Sequence, residues 1–212
     1  MKQYLREPVS AITHLIGALL ALIGTIILFN HAVILNPITI LSILAFGASM
    51  VLLYTTSGIY HLVKATDSII LRLKKLDHAM IFVLIAGSYT PFCLLSLPSS
   101  LKWGILSVVW GLTIIGVILK ICWINMPRWL STGFYIGMGW IALFVLKPLY
   151  YSLSVGGFFF LILGGVMYTI GGIIYGLKKP NISINWGFHE IFHIFVMLGS
   201  FCHFWAILNY VI

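Results

Sequence analysis

The sequence predicts an all-α protein, a seven-transmembrane helix bundle with its N-terminus cytoplasmic and its C-terminus external. Three observations carry that expectation. The 212 residues are 61% hydrophobic and 8% charged, with mean hydropathy +1.12, so too few polar side chains remain to cover an apolar core in water. Seven segments stay apolar for about 20 residues, the length a helix needs to cross a hydrocarbon layer of roughly 30 Å. The third observation is where the basic residues fall. Lys2, Arg6, Lys64, Arg72, Lys74, Lys75, Lys120, Arg128, Lys178 and Lys179 lie at the N-terminus or around the second, fourth and sixth loops, against only Lys102 and Lys147 in the opposite set. That split, ten to two, is a positive-inside signal, so the net charge of +8 speaks for membrane orientation and against a nucleic-acid partner.

The first expected span, 10–29, runs into another apolar segment with no small-residue cleavage site and polar mature start, and it is read as a retained helix. The second covers 38–62. The third, 78–97, contains Pro91, which removes a backbone donor and crowds the preceding turn, so a kink is expected. The fourth and fifth, 103–123 and 130–147, meet in a stretch crowded by Lys120, Pro127 and Arg128. The sixth, 155–176, carries glycine pairs at 156/157, 164/165 and 171/172, whose spacing returns to one helix face and lets a neighbouring backbone approach closely. The seventh covers 187–210. Short loops join the spans into one expected domain, 1–212. Cys93, Cys122 and Cys202 fall in apolar spans without metal-type spacing and read as small buried hydrophobes.

Ionisable side chains inside a membrane span are costly, so each is a functional candidate. On the predicted topology they gather at one depth. The second span ends inward with "SGIYHL", setting Ser57 and His61 one turn apart on one face. The third starts at the same edge with "LDHAM", giving Asp77 and His78, and the first starts there with Glu7 and His14. The seventh opens with "HEIFH", in which His189 and His193 share a face and Glu190 lies beside them. His31 falls in the first external loop, and His203 stands about 15 Å further along the seventh span than His193.

Three imidazoles, His61, His189 and His193, can reach one point if the second and seventh spans are neighbours. Three neutral nitrogens and a water make the open pattern of catalytic zinc, and imidazole favours Zn2+ over the hard magnesium and calcium ions. The competing interpretation for a lone histidine is a satisfied buried hydrogen-bonder, and it is the expectation for His14, His78 and His203 taken singly. Zinc in an open site suits hydrolysis of an amide or ester, with a carboxylate to manage the water. Asp77 and Glu190 are the candidates; "HEIFH" is literally H-E-x-x-H, the pattern in which the glutamate is the base. Ser57 could donate to a bound carbonyl or simply bond its own helix backbone.

Four ordered blocks, "EPVSAITHLIGA", "SGIYHL", "LDHAMIFVLIAGSYTPF" and "HEIFHIFVMLGSFCHFWA", resemble those of the bacterial hemolysin III family. This family is related to the progestin and adiponectin receptors and the alkaline ceramidases. The resemblance implies a zinc site of His61, His189 and His193, with the motif serine and aspartate at Ser57 and Asp77. It favours Asp77 over Glu190 as the group orienting the zinc water. It also implies a bacterial plasma-membrane location and agrees with the cytoplasmic N-terminus. The long N-terminal region of the receptors is missing, so adiponectin-like recognition does not carry over.

The leading functional expectation is a zinc-dependent hydrolase of a lipid amide or ester entering from the bilayer, making a membrane lipid its substrate or ligand. One alternative is a pore-forming cytolysin, which is physically awkward for a chain with neither a secretion signal nor a soluble fold. Others are a receptor-like homeostasis protein with structural zinc and, least favoured, an intramembrane metalloprotease.

Overall fold

The computed structural model describes residues 6–123, 125–183 and 186–212; Lys2, one of the basic residues counted toward orientation, lies outside them. Helix α1 spans Pro8–His31 and α2 spans Pro37–Leu62, each starting on a proline, whose missing N–H costs nothing in a first turn. Asn36 caps α2, its side-chain oxygen accepting from the N–H groups of Ile38 and Thr39 at 2.9 Å. His31, expected in a loop, is the last residue of α1.

Helix α3 runs Asp67–Ser96, starting well before the expected 78 and continuing through Pro91 as one element. Its added first turns hold Arg72, Lys74 and Lys75, good helix formers that the hydropathy pattern could not count as membrane-spanning. Lys75 Nζ donates to the Ile121 carbonyl at 2.6 Å, tying this extension to the end of α4, Ser99–Cys122. Asp77 therefore sits about 15 Å into its helix rather than at its start.

The expected fifth span, 130–147, is broken into α5 (Arg128–Trp140), a 3-10 turn (Ile141–Val145) and α6 (Leu146–Ser152). The Tyr89 hydroxyl from α3 enters the break. It accepts from the Ala142 N–H at 2.7 Å and stands 2.6 Å from the Gly139 carbonyl, satisfying backbone groups that lipid could not. Helix α7 covers Val155–Leu177 and α8 covers Phe188–Tyr210. Counting Arg128–Ser152 as one, seven elements among the described residues are long and apolar enough to cross a membrane. The described residues contain no strand, only an isolated bridge between Ser183 and Trp186.

The helices form a ring: α1 packs on α2, α2 on α3, α3 on α4, α7 on α8 and α8 on α1, while α5 touches α3, α4 and α7. Helix α3 is the most buried. Ile43, Phe46 and Met50 of α2, Leu84 and Phe92 of α3, and Val196 and Ile207 of α8 share one core. Outward-facing Ile16, Leu19 and Leu20 of α1 and Ile114, Ile115 and Ile118 of α4 stay uncovered, as lipid-facing side chains should. The glycine expectation for the sixth span holds on one face. Gly157, Gly164 and Gly171 of α7 are buried, and a Cβ at Gly171 would stand 2.9 Å from Phe195 of α8. Gly165 and Gly172, on another face, border a cavity instead.

Among the cysteines, Cys93 and Cys202 are buried, whereas Cys122, expected to be buried, is exposed because it ends α4 at the rim of the bundle. Lys120, two residues earlier, is buried and donates to Ser131 of α5.

Candidate functional site

His61 occupies the last turn of α2, and His189 and His193 the first turns of α8. Helix α1 bridges these two helix ends, packing on both α2 and α8. Gly58 of α2 has room for nothing but hydrogen, since a Cβ there would meet Leu15 of α1 at 2.8 Å. The chain entering α1 also pairs with the end of α2, the Glu7 N–H donating to the His61 carbonyl at 3.0 Å. Helix α1 is thereby pressed against α2, and its Ser10 hydroxyl, donating to Glu190 at 2.7 Å, holds it to the start of α8.

One ligand atom from each of His61, His189 and His193 lies within 4.8 Å of the others. The ring centroids of His61 and His193 are 5.1 Å apart, and the Nε2 atoms of His61 and His189 are 3.1 Å apart. Nitrogens sharing a tetrahedral zinc ion at ~2.0–2.1 Å stand roughly 3.3 Å apart, so this spacing fits the group that the histidine pattern implies. The outer contacts fit as well. The Glu7 carboxylate accepts from His61 Nδ1, which leaves His61 Nε2 with a bare lone pair facing the cluster. His193 Nδ1 lies 3.4 Å from Thr13 Oγ1. The hydrogen bond from His61 is the main influence holding the Glu7 carboxyl below its usual range, and the charge of Arg6 acts the same way, against partial desolvation.

The other expected residues divide. His14 is not the satisfied hydrogen-bonder expected from sequence. It is buried, its ring stacks on that of His193 at 3.5 Å, and neither ring nitrogen has a partner. His78 does meet that expectation, with Nδ1 2.7 Å from the Lys74 carbonyl and Nε2 3.2 Å from the Tyr175 hydroxyl. Ser57 Oγ is buried without a partner, so it does not bond its own helix, whereas the adjacent Thr56 hydroxyl does bond back to Leu52 at 2.7 Å. Both Glu190 oxygens are occupied: Oε1 accepts from Ser10 at 2.7 Å and Oε2 from the Gly187 N–H at 2.9 Å, fastening the start of α8 to α1. Asp77 stands outside the three-histidine group and lines the adjoining cavity.

That cavity, about 460 Å³, lies between α3, α5, α7 and α8 and is walled by apolar side chains such as Leu84, Ile136, Ile162 and Val166. Asp77, Ser57, His14, His189 and His193 stand at one end and His203 at the other. Seven buried side-chain polar atoms among the described residues lack a partner, and five of them belong to His14, Ser57, Thr132 and His203, all cavity-lining. Buried polar atoms are normally satisfied, so their concentration here marks a place where a ligand or water completes the structure. Sequence reasoning missed Thr13, Thr132 and Tyr175, since a hydroxyl in an apolar span carries no signal until its neighbour is known.

A family described as Haemolysin-III related matches residues 2–204. The chain is 41% identical over 207 residues to the Hemolysin-3 homolog of Bacillus subtilis (strain 168), covering 96% of this chain and 93% of that protein. It is 38% identical over 218 residues to the Hemolysin-3 of Bacillus cereus, covering 100% and 95%. A more distant likeness, 29% identity over 153 residues, links 63% of this chain with 34% of the Adiponectin receptor protein of Drosophila melanogaster.

Proposed function

The chain belongs to the haemolysin-III related family and is a multi-pass cell-membrane protein, and on that footing we propose that it is a zinc-dependent hydrolase of a lipid amide or ester. The observation that carries this reading is the junction of the three-histidine group with an apolar cavity whose buried polar atoms are unmatched. His61, His189 and His193 would hold the ion, and three nitrogen donors suit zinc. When bound, zinc supplies Lewis acidity, polarising a carbonyl and making a water acidic enough to ionise near neutral pH.

The remaining work falls to the protein. The cavity walls take an acyl chain out of the bilayer and keep bulk water from it. Ser57, with no competing partner, donates to the oxygen of the scissile carbonyl. Asp77 accepts the proton of the attacking water and returns it to the departing amine or alcohol as the carbon–nitrogen or carbon–oxygen bond breaks, releasing a fatty acid. Glu7 holds His61 with Nε2 toward the cluster. Glu190, with both oxygens engaged, anchors α8 and is not assigned the base role. On the positive-inside distribution the histidines lie near the cytoplasmic face, with the N-terminus on that side.

A second reading, membrane lysis, draws on the printed names of two relatives. Metal analysis of the purified protein with a fatty-acid release assay separates the two. The hydrolase reading expects about one zinc per chain, and loss of both zinc and release in His61→Ala and His193→Ala. Liposome leakage unaffected by those changes, with no release from any lipid, would favour lysis. Unfolding on chelation without turnover would make the zinc structural.

A further inference from the structure

The far end of the cavity carries an unmatched imidazole of its own. His203 is 7% exposed and lies ten residues beyond His193 on α8, about 15 Å along the helix. Its Nε2 is 3.3 Å from the Leu161 carbonyl of α7. A carbonyl only accepts, so Nε2 carries the proton and Nδ1 presents a bare lone pair. The ring edge holding Cδ2 and Nε2 is turned against Gly164, where a Cβ would collide with it, which leaves Nδ1 on the opposite edge. Nδ1 is buried and has no partner.

No nearby hydroxyl bonds to Nδ1. Tyr54 donates to Ser200, Tyr168 and Ser200 stand 2.8 Å apart, and Ser88 donates to the Leu84 carbonyl at 2.8 Å. The edges of Phe92 and Tyr168 flank the ring, with centroids at 5.6 and 5.4 Å. The setting is therefore an apolar tunnel end containing one acceptor in want of a donor.

We propose that His203 Nδ1 is a subsite for a hydroxyl group carried in the middle of the lipid's acyl chain, so that the preferred ligand is a mid-chain hydroxylated fatty acyl lipid. The proposal rests on the lipid reading of the cavity and deepens it. The length of α8 between the two histidines sets the rule: a chain whose carbonyl lies by His193 presents its middle, not its carboxyl end, to His203. A keto group does not serve, because it brings an acceptor to an acceptor. A plain chain leaves Nδ1 buried and unmatched, and a site built to bond a hydroxyl discriminates against the analogue lacking it.

The test is displacement of a fluorescent fatty acid from the full-length, zinc-loaded protein in nanodiscs, using stearate and stearates hydroxylated next to the carboxyl, in mid-chain or at the chain end. Mid-chain hydroxystearate should displace the probe about tenfold better than stearate and better than both positional isomers. In His203→Leu that preference should vanish, stearate displacing the probe as well as its hydroxylated forms because no imidazole acceptor is left unmatched. Equal displacement by stearate and all its hydroxylated forms overturns the subsite alone, as does a preference that survives in His203→Leu. Failure of every fatty acid to displace the probe overturns the lipid-cavity reading and the subsite with it. Should His203→Leu fail to fold, the positional series on the unmodified protein decides the matter.

Discussion

The two ends of α8 hold the same side chain in opposite circumstances. At the start, His189 and His193 meet His61, with Glu7 and Thr13 bonded to the outer nitrogens of His61 and His193 and His14 stacked on His193. Toward the finish, His203 stands alone among rings, bonded through one nitrogen to a backbone carbonyl. The difference shows what a buried histidine can be used for. Several imidazoles whose outer nitrogens are engaged elsewhere turn their lone pairs inward on one point, which suits a cation. A single imidazole locked as a neutral acceptor suits a neutral donor. Both ends open into one cavity, so the two chemistries can act on one molecule.

Changes at the two ends should therefore separate. On the proposed hydrolase reading the largest expected effect is at the three-histidine end of the cavity: Asp77→Asn should retain zinc yet lower the turnover number by about 10²- to 10⁴-fold in a fatty-acid release assay. An unchanged rate would remove Asp77 from the reaction. Glu7→Gln keeps the geometry but withdraws the negative acceptor from His61, and should weaken zinc affinity by roughly 10- to 100-fold in a chelator competition. Undiminished affinity would mean that the carboxylate does nothing for the cluster. The smallest effect belongs to the other end. Ser200→Ala removes the hydroxyl shared by Tyr54 and Tyr168 and should cost about 1 kcal/mol in unfolding measurements, with zinc content unchanged. Loss of zinc in that variant would show that the two ends are not independent.

Much of the fold was readable because membrane spans obey a simple constraint: every backbone polar group must be satisfied within its own segment, which makes a long apolar run a helix. Residues 38–62 and 155–176 correspond closely to α2 and α7 on that ground. The constraint fails where another element supplies the partner. The break after Trp140 depends on the Tyr89 hydroxyl, and nothing in residues 130–147 announces a tyrosine reaching them from α3. The early start of α3 was hidden because hydropathy measures the lipid-crossing part of a helix, and Lys74 and Lys75 continue the helix beyond it.

In the site, the i, i+4 pair in "HEIFH" shares a face by helical geometry alone, and its convergence with His61 follows once the second and seventh spans are neighbours. Glu190 shows the limit. Its sequence context names a base, while its oxygens are held by Ser10 and by the backbone of its own helix start.

Composition, periodicity and charge thus determined seven apolar crossings and the depth at which ionisable groups gather, because burial energies and helix geometry act locally along the chain. The tertiary structure alone decided which of those groups face one another, which are already satisfied, and which remain bare toward a shared cavity. A hydrogen bond is specified by two partners, and here the second lies as many as 180 residues away.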